Sequence, residues 1–248
     1  REKKMTCIMG KSGIGKSTLL SILMGLEKAD EGTVSGMEHQ KISVIFQENR
    51  LFENLDAVTN IHITTGKTKE EITGFLKKME LDDIAGKPVS EYSGGMKRRV
   101  AIARALLAEY DILIMDEPTA GLDVEARNEI LDMLRAYIAE DESRSILITS
   151  HISTDLESLC DELYLIHDGK LILHEATDAI LEQYGILKVS EEQYRTLDQS
   201  SILKVQKENY GYACFTNDKK FYQENYPQIA VENGGIDELI LMMTGGYR

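Results

Sequence analysis

Short, mainly apolar runs recur along the chain, and four of them have the length of buried strands: residues 6–9, 42–46, 112–115 and 145–150. Apolar side chains at helical spacing lie between these runs, as at residues 19–23 and 69–79. Because buried strands that alternate with helices pack into a parallel sheet covered by those helices, the pattern predicts an α/β fold.

The sequence pattern of residues 48 to about 98 predicts a helical subdomain rather than a part of the sheet. Apolar side chains repeat at helical spacing from Ile72 to Met79, and the run from Gly86 to Pro88 breaks the chain before the next helix. We therefore expect this stretch to be inserted between two strands of the α/β domain.

The last quarter of the chain has a different pattern. It predicts two alternating strands of a hairpin, another short strand and a helix, at residues 202–207, 210–216, 229–231 and 236–243. Seven of the eleven tyrosines lie between Tyr184 and Tyr247, and we expect them to form the core of a small α+β domain. We assign residues 1–184 to the main domain and residues 185–248 to an accessory domain that supports dimerisation or regulation.

Composition narrows the class of protein. The 248 residues include 28 Lys and Arg against 42 Asp and Glu, a formal charge of −14. This acidic balance argues against a nucleic-acid-binding surface, and the acidic residues of the central stretch, 109–184, are mostly expected to be solvated. No apolar run approaches the ~18 residues of a membrane span, and no secretory leader is visible. The three cysteines, Cys7, Cys160 and Cys214, suit a reducing cytosol.

The strongest chemical signal directly follows the first strand. The run has the pattern G-x-x-x-x-G-K-[ST] between a strand and a helix, and it comprises Gly10, Lys11, Ser12, Gly13, Ile14, Gly15, Lys16, Ser17 and Thr18. Glycines let the backbone wrap closely around phosphate oxygens, while the amides and the helix N-terminus attract negative charge. Lys16 is predicted to contact the β- and γ-phosphates of a nucleoside triphosphate, and Ser17 to bind Mg²⁺.

A second signal ends the third strand. Residues 112–115 are apolar and lead into Asp116 and Glu117. Carboxylates at the carboxyl end of a parallel strand lie where ligands bind in such sheets. We predict that Asp116 holds Mg²⁺ and that Glu117 is the general base that activates the attacking water.

Between these two signals lies the run Tyr92, Ser93, Gly94, Gly95 and Met96, followed by a helix at residues 97–106. Together with the phosphate loop and Asp116-Glu117, it resembles the signature of the ATP-binding cassette (ABC) ATPases. The resemblance extends to further landmarks in the family's order. They are Gln47 of the Q-loop, Gly121-Leu122-Asp123 of the D-loop and the switch histidine, His151.

The resemblance implies roles for these residues. Gln47 would be a further Mg²⁺ ligand in the catalytic site, and His151 would contact the γ-phosphate of ATP. Ser93, Gly94 and Gly95 would face the ATP held by an opposite subunit, with Asp123 close to that contact. ATP would thus join two cassettes, identical or different, head to tail.

The resemblance also implies a fold and a biological setting. The fold would be the P-loop NTPase fold of the ABC type. The chain would be the ATPase subunit of a transporter, peripheral on the cytoplasmic face of the plasma membrane, and would drive a separate membrane-spanning permease. Residues 49–52 are either the contact strip for that permease or part of the subdomain's own core. The basic run at residues 97–99 is expected to be a partly solvated helix face rather than a nucleic-acid patch.

Two alternatives to the ATPase subunit of a transporter stay open, and so does the direction of transport. A soluble ABC ATPase of DNA repair or translation would typically carry a coiled-coil insertion or a second cassette, and neither occurs here. A module that holds ATP without turnover is disfavoured by Glu117 and His151. Up to Asp123 the chain resembles importers of the nitrate, sulfonate and taurine type. From about Ala126 it resembles Gram-positive ABC-2-type exporters.

The sequence departs from the family at two places. The signature has Tyr92 and Met96 where Leu and Gln are usual, which leaves the packing beside Ser93 open. The family also places two antiparallel strands and an adenine-stacking aromatic before the phosphate loop. Here nine residues precede Gly10 and no aromatic occurs before Phe46, so these strands are expected to be missing and the adenine contact is not assigned.

Overall fold

The computed structural model describes residues 4–141, 144–153, 157 and 159–244. The chain divides into two compact units, Arg1–His151 and Ile152–Arg248. The boundary between a main and an accessory domain after residue 184 stays a prediction.

The first unit contains the alternating elements that the sequence predicts. Its strands are β1 (Lys4–Met9), β2 (Ile42–Ile45), β3 (Ile112–Asp116) and β4 (Ser145–Ser150). Its helices are α1 (Lys16–Leu23), α2 (Ala57–Thr65), α3 (Lys69–Lys78), α4 (Gly94–Leu106) and α5 (Val124–Ala139). Two short 3₁₀ turns precede α4, at Asp82–Ile84 and Val89–Glu91.

The four strands of this unit are parallel and lie in the order β2-β3-β4-β1. Their apolar side chains are buried because helices cover the sheet, with a core that includes Cys7, Leu20, Ile102, Leu113 and Ile130. In a parallel sheet all carboxyl ends meet at one edge, so the segments after the four strands are brought together.

Helices α2 and α3 and both 3₁₀ turns lie within residues 48–98, while the bounds of the helical subdomain stay a prediction. Thr68 begins α3 with a capping box, in which its hydroxyl accepts from the amide of Glu71 and the Glu71 carboxylate accepts from the amide of Thr68. Helix α4 packs against α2 and α3 on one side and against β2 and α5 on another. It therefore joins the helical subdomain to the sheet.

From Glu162 on, the described residues of the second unit form an antiparallel hairpin followed by a small α+β fold. Its strands are β5 (Glu162–His167), β6 (Lys170–Ala176), β7 (Gly185–Val189), β8 (Ile202–Glu208), β9 (Gly211–Thr216) and β10 (Ala230–Asn233). Its helices are α6 (Thr177–Gln183), α7 (Glu191–Thr196), α8 (Lys219–Asn225) and α9 (Ile236–Thr244). Strands β10-β7-β9-β8 form an antiparallel sheet, which confirms the hairpin predicted from residues 202–216.

Among the described tyrosines from Tyr184 to Tyr226, all but one are buried or half-buried, as expected. Tyr222 is fully buried among Leu187, Val189 and Cys214, and its hydroxyl donates to the carbonyl of Asp198 over 2.7 Å. Tyr194, Tyr212 and Tyr226 pack against the same cluster. Tyr210 is instead 97% exposed. Tyr247 lies outside the described residues.

Cys7, Cys160 and Cys214 are buried free thiols. Among the residues that the structure describes, no helix combines the length and the apolar character needed to cross a bilayer.

Candidate active site

The residues singled out from the sequence follow the ends of the four parallel strands. The register pairs Ile45 with Met115, Asp116 with Thr149, and Met9 with Ser150. The chain therefore leaves the sheet at one edge through four neighbouring segments. They carry Gln47, Asp116-Glu117, His151 and the phosphate loop that begins at Gly10.

The phosphate loop adopts a conformation that requires glycine at two positions. Gly13 and Gly15 have φ of 78° and 104°, in the left-handed region that other residues rarely adopt. Gly15 is also the N-cap of α1 and gives the helix no side-chain cap, and the first turn contains no acidic residue. Neither the N-cap nor the first turn therefore supplies a carboxylate or a side-chain cap that would compete with a phosphate for the amides at the start of α1, which include those of Ser17 and Thr18.

Lys16 is a buried cation of the phosphate loop. Its side chain is 6% exposed, and Nζ donates to the carbonyls of Gly10 and Lys11 over 2.8 and 3.3 Å. The same ammonium lies 3.1 Å from Oε1 of Glu117. The loop thus folds its lysine back over its own backbone, next to the carboxylate that ends β3.

Glu117 is held by its backbone as well as by its side chain. Its φ of 48° is left-handed, and its amide donates to Oγ1 of Thr149 over 3.1 Å. That hydroxyl in turn donates to Oδ1 of Asp116 over 2.6 Å. Oε2 of Glu117 lies 2.7 Å from Nδ1 of His151. One chain of contacts therefore runs from Lys16 through Glu117 to His151.

The donor set at this edge fits Mg²⁺ only together with a phosphate ligand. Asp116 is a buried carboxylate, whereas Ser17 and Gln47 are exposed. No cluster of three or more His, Cys, Asp or Glu side chains suited to a metal occurs in the described part of the chain. Mg²⁺ is commonly bound by one or two carboxylates plus substrate phosphates and waters rather than by an all-protein cage. Asp116, Ser17 and Gln47 match that arrangement.

The signature residues form a second group. Ser93 is the N-cap of α4 and accepts from the amide of Met96 over 3.3 Å, while Sδ of Met96 accepts from the amide of Ser93 over 3.4 Å. Methionine therefore closes the capping box that glutamine would otherwise close. Tyr92 is buried, and its hydroxyl donates to the carbonyl of Ile84. Both departures from the usual signature are thus accommodated.

This second group includes the D-loop. A Cβ added to Gly95 would lie 3.8 Å from Cδ2 of Leu122, so the start of α4 and the D-loop are adjacent. Asp123 is the N-cap of α5 and accepts from the amide of Ala126 over 2.9 Å. The contact chain from Lys16 to His151 does not include these residues. The structure thus brings the predicted residues together in two groups.

The expectation for the basic run at residues 97–99 was wrong at one position. Arg98 is only 4% exposed, and its guanidinium binds carbonyls at the ends of β2 and β3. A signal was available in the sequence, because Arg98 shares the helical face of Ala101, Ile102 and Ala105, all of them buried. The role of Thr149 as the link between Glu117 and Asp116 was also missed. The only sign of it in the sequence was the position of Thr149 after Ile148, at the end of a strand.

The family model of the ABC transporters matches residues 1–120. The lantibiotic transport ATP-binding protein SrtF of Streptococcus pyogenes is 35% identical over 185 residues, which cover 71% of this chain and 80% of that protein. The Nod factor export ATP-binding protein I of Ralstonia nicotianae is 33% identical over 204 residues. That alignment covers 72% of this chain but only 63% of the relative, so the chain spans less than two thirds of that protein.

Solved structures of ABC transporter proteins are also similar to this chain. One is cbiO1 from Clostridium perfringens, part of an ABC transporter complex, with a TM-score of 0.62 and 27% identity over 73% of this chain and 80% of that chain. Another is a dimeric ATP-binding cassette in a post-hydrolysis state bound to ADP and Pi, with a TM-score of 0.62 and 27% identity over 71% of this chain and 87% of that chain. The predicted P-loop fold is confirmed, and the chain belongs to the ATP-binding proteins of the ABC transporter family.

Proposed function

We propose that the chain hydrolyses Mg²⁺-bound ATP and thereby energises transport through a separate membrane-spanning permease. One observation carries the proposal: the ammonium of Lys16, the carboxylate of Glu117 and the imidazole of His151 form one chain of contacts beside the phosphate loop. Phosphoryl transfer to water needs a cation at the phosphates, a base at the water and groups that position both. These three side chains can supply those needs.

Lys16 would change partners when ATP binds. Its ammonium now interacts with Glu117 and two loop carbonyls, and a γ-phosphate offers more negative charge at hydrogen-bond distance. Mg²⁺, held by Ser17, Asp116 and Gln47, would neutralise charge on the phosphate oxygens. Transfer of Lys16 to the phosphate would leave Oε1 of Glu117 without its ammonium partner. That oxygen could then accept a proton from water.

Glu117 would act as the general base in a fixed orientation. The hydrogen bond from the Glu117 amide to Oγ1 of Thr149 fixes the backbone of Glu117. His151 binds Oε2 of the carboxylate, so Oε1 is the oxygen turned toward Lys16. A base is effective only when it is positioned within hydrogen-bond reach of the proton that it removes. His151 would hold the carboxylate in place and contact the γ-phosphate with its half-exposed ring.

We further propose that two cassettes, identical or different, close head to tail on ATP. Ser93, Gly94 and Gly95 begin α4 with no acidic residue in its first turn, which suits an anion at this helix N-terminus. Leu122 lies beside that helix start and Asp123 directly follows Leu122 in the chain, so the D-loop is adjacent to the start of α4. The dimeric cassette bound to ADP and Pi, to which this chain is similar, supports the formation of a dimer.

Ser93→Arg tests whether the signature acts across subunits. A long cation at the start of α4 would obstruct the ATP of the opposite subunit but not the phosphate loop of the same chain. We expect the Kd for ATP of the monomer to stay within about threefold and steady-state turnover to fall by about 100-fold, the size seen when a contact to transition-state charge is lost. Equilibrium binding of a fluorescent ATP analogue and phosphate release measure the two quantities.

Ser190→Arg is the matched control. Ser190 is an exposed N-cap in the second unit and accepts from the amide of Gln193 over 3.2 Å, so its replacement costs a helix cap of the same kind. We expect it to keep its turnover. Loss of ATP binding in Ser93→Arg would instead show that the signature serves the nucleotide of its own chain.

For the partner we propose the membrane-spanning permease of an export system, which this chain would bind at the cytoplasmic face of the plasma membrane. Support comes from relatives whose names refer to Nod factor export and lantibiotic transport. Within residues 49–52, Phe52 is 53% exposed, which favours a contact strip over a place in the subdomain core. Asn60 is buried and binds both the amide and the carbonyl of Phe52, over 2.8 and 3.0 Å. The exposed ring is thus presented on a fixed backbone.

Affinity purification from detergent-solubilised membranes tests this partner. We expect a polytopic membrane protein to co-purify with the tagged chain and to be identified by mass spectrometry. A second ABC ATPase in the same complex would make the cassette pair a heterodimer. Recovery of the chain without any membrane protein, from the soluble fraction alone, would favour a soluble ABC ATPase of DNA repair or translation.

A further inference from the structure

Arg98 is a buried cation that binds backbone oxygens at two strand ends. On the side of β3, Nε donates to the carbonyl of Pro118 over 2.8 Å, and Nη2 donates to those of Glu117 and Asp116 over 3.1 and 3.3 Å. On the side of β2, Nη1 donates to the carbonyl of Phe46 over 2.6 Å and lies 3.4 Å from that of Gln47. The guanidinium therefore spans the segments that carry Gln47 and Glu117.

The six hydrogen-bond acceptors of Arg98 are all neutral. Five are carbonyls, and the sixth is the side-chain oxygen of Asn49, 3.4 Å from Nη1. Burial lowers the pKa of the Arg98 guanidinium to about 10, and the nearby charge of Asp116 opposes this shift. The group is thus charged at neutral pH. A buried charge that binds so many carbonyls fixes their relative positions, because each carbonyl would otherwise lose its donor.

The same helix holds the segment after β2 at further points. Arg104 donates to the carbonyls of Arg50 and Asn49 over 2.8 and 3.2 Å. Lys97 pairs with Glu53 over 2.8 Å. Three basic residues of α4 therefore bind residues 46–53. Only Arg98 also binds the end of β3.

We propose that Arg98 is a positioning residue that couples the signature helix to the catalytic edge. The proposal rests on the proposed function. Ser93 begins α4 and Arg98 lies little more than one helical turn later, so a shift of α4 toward the ATP of an opposite subunit moves the guanidinium. Arg98 transmits that shift to Gln47 and Glu117 together. It thereby sets the distance between the Q-loop and the general base without contact to the substrate.

Lysine cannot replace this arrangement. Arginine presents five N–H donors in a planar fork, whereas lysine presents three donors at one point. The acceptors of Arg98 lie on two strands, and its Nε, Nη1 and Nη2 each serve a different subset of them. The ammonium of a lysine at this position can bind the carbonyls at the end of β2 or those at the end of β3, but not both. We therefore expect Arg98→Lys to retain stability better than it retains catalysis.

The test compares Arg98→Lys and Arg98→Met with Arg99→Met. Arg99 is the matched control because it lies on the same helix but pairs with Glu129 and binds the carbonyl of Met79, outside the catalytic edge. In both Arg98 variants we expect kcat to fall by about 30-fold or more, while the Kd for ATP changes by less than about threefold, since a misplaced base and Q-loop affect the transition state more than binding. Arg99→Met should retain most of its kcat.

A second readout does not depend on ATP hydrolysis. The chain contains no tryptophan, so Phe46→Trp introduces a single fluorophore beside the carbonyl that Arg98 binds. In this background we expect Arg98→Met to raise the acrylamide quenching constant by about twofold or more, because the segment after β2 loses its anchor and opens more often. Arg99→Met should leave the constant unchanged.

The outcomes separate this proposal from the proposed function. If the unsubstituted protein shows no turnover, the proposed function fails, and the quenching comparison still decides the role of Arg98. If Arg98→Lys keeps full kcat, or if Arg99→Met reproduces both effects, Arg98 is only a structural residue of α4 and the proposal is wrong. Lower melting temperature alone, with kcat per folded molecule unchanged, overturns it as well.

Discussion

Lys16→Ala is expected to weaken ATP binding by about 100-fold, or about 2.7 kcal/mol, and to remove measurable turnover. The ammonium is buried at the mouth of the phosphate loop, where its attraction to phosphate is screened less than at the surface. Alanine leaves the loop amides in place but removes the cation that would balance the β- and γ-phosphates. Titration with a fluorescent ATP analogue and a phosphate-release assay with Mg²⁺ measure the two losses.

Lys28→Ala is the control for this experiment, since Lys28 is an exposed lysine of the same unit. It should leave both binding and turnover unchanged. Lys16→Ala also removes the partner of the Glu117 carboxylate, whose side chain is 11% exposed, so we expect a lower melting temperature. Hydrolysis at the unsubstituted rate in a folded Lys16→Ala protein would remove the assignment of the phosphate loop.

The acidic balance of the chain does not oppose a polyanionic ligand. The phosphate loop lies within residues 1–108, which carry 17 basic and 14 acidic side chains, whereas residues 109–184 carry 4 and 19. Around Asp116 and Glu117 the structure places Lys16, Arg98 and the N-terminus of α1. A formal charge of −14 is therefore an average that hides a locally compensated site.

Sequence patterns predicted the elements that carry the site because their signals are local. A buried strand that ends in Asp116, a glycine-rich turn and a helix start at Ser93 each depend on residues close in the chain. The prediction of a strand at residues 145–150 matches β4 at both ends. The short helices α7 and α8 were not predicted, since helices of six and seven residues are stabilised by packing rather than by periodicity.

The contacts between distant segments could not be predicted in this way. Lys16 and Glu117 are about 100 positions apart, and the strand order decides that the two meet. The left-handed backbone of Glu117 has no local sign in the sequence, because glutamate rarely adopts it. It is maintained by Thr149 on the adjacent strand. The burial of Arg98 was missed for the opposite reason. Its helical spacing relative to apolar residues indicated a buried face, but its basic neighbours favoured the prediction of a solvated face.

Glu117→Gln is expected to bind ATP and to lower turnover by about 1,000-fold or more, because an amide cannot take the proton from the attacking water. Glutamine keeps the size of the side chain. Its amide oxygen can accept from Lys16, and its amide nitrogen can donate to His151, so both contacts at 3.1 and 2.7 Å can persist. The protein should therefore stay folded, with ATP bound in the site.

A stalled site should also reveal the dimer. If ATP joins two cassettes through the signature, the variant cannot hydrolyse the ligand that holds them, and a dimer should accumulate with Mg²⁺ and ATP on size-exclusion chromatography. Glu109→Gln is the control, since Glu109 is exposed and pairs only weakly with Lys67 over 3.4 Å. It should hydrolyse ATP and elute as the unsubstituted protein does.

The pattern of failure would identify which part is wrong. A Glu117→Gln protein that remains active and monomeric would show that Glu117 is not the base. An inactive protein that binds ATP but stays monomeric would keep the base and remove the head-to-tail dimer. Combining Glu117→Gln with Ser93→Arg separates the two further, because ATP should still bind while the dimer peak disappears. A dimer that survives Ser93→Arg would place the subunit contact away from the start of α4.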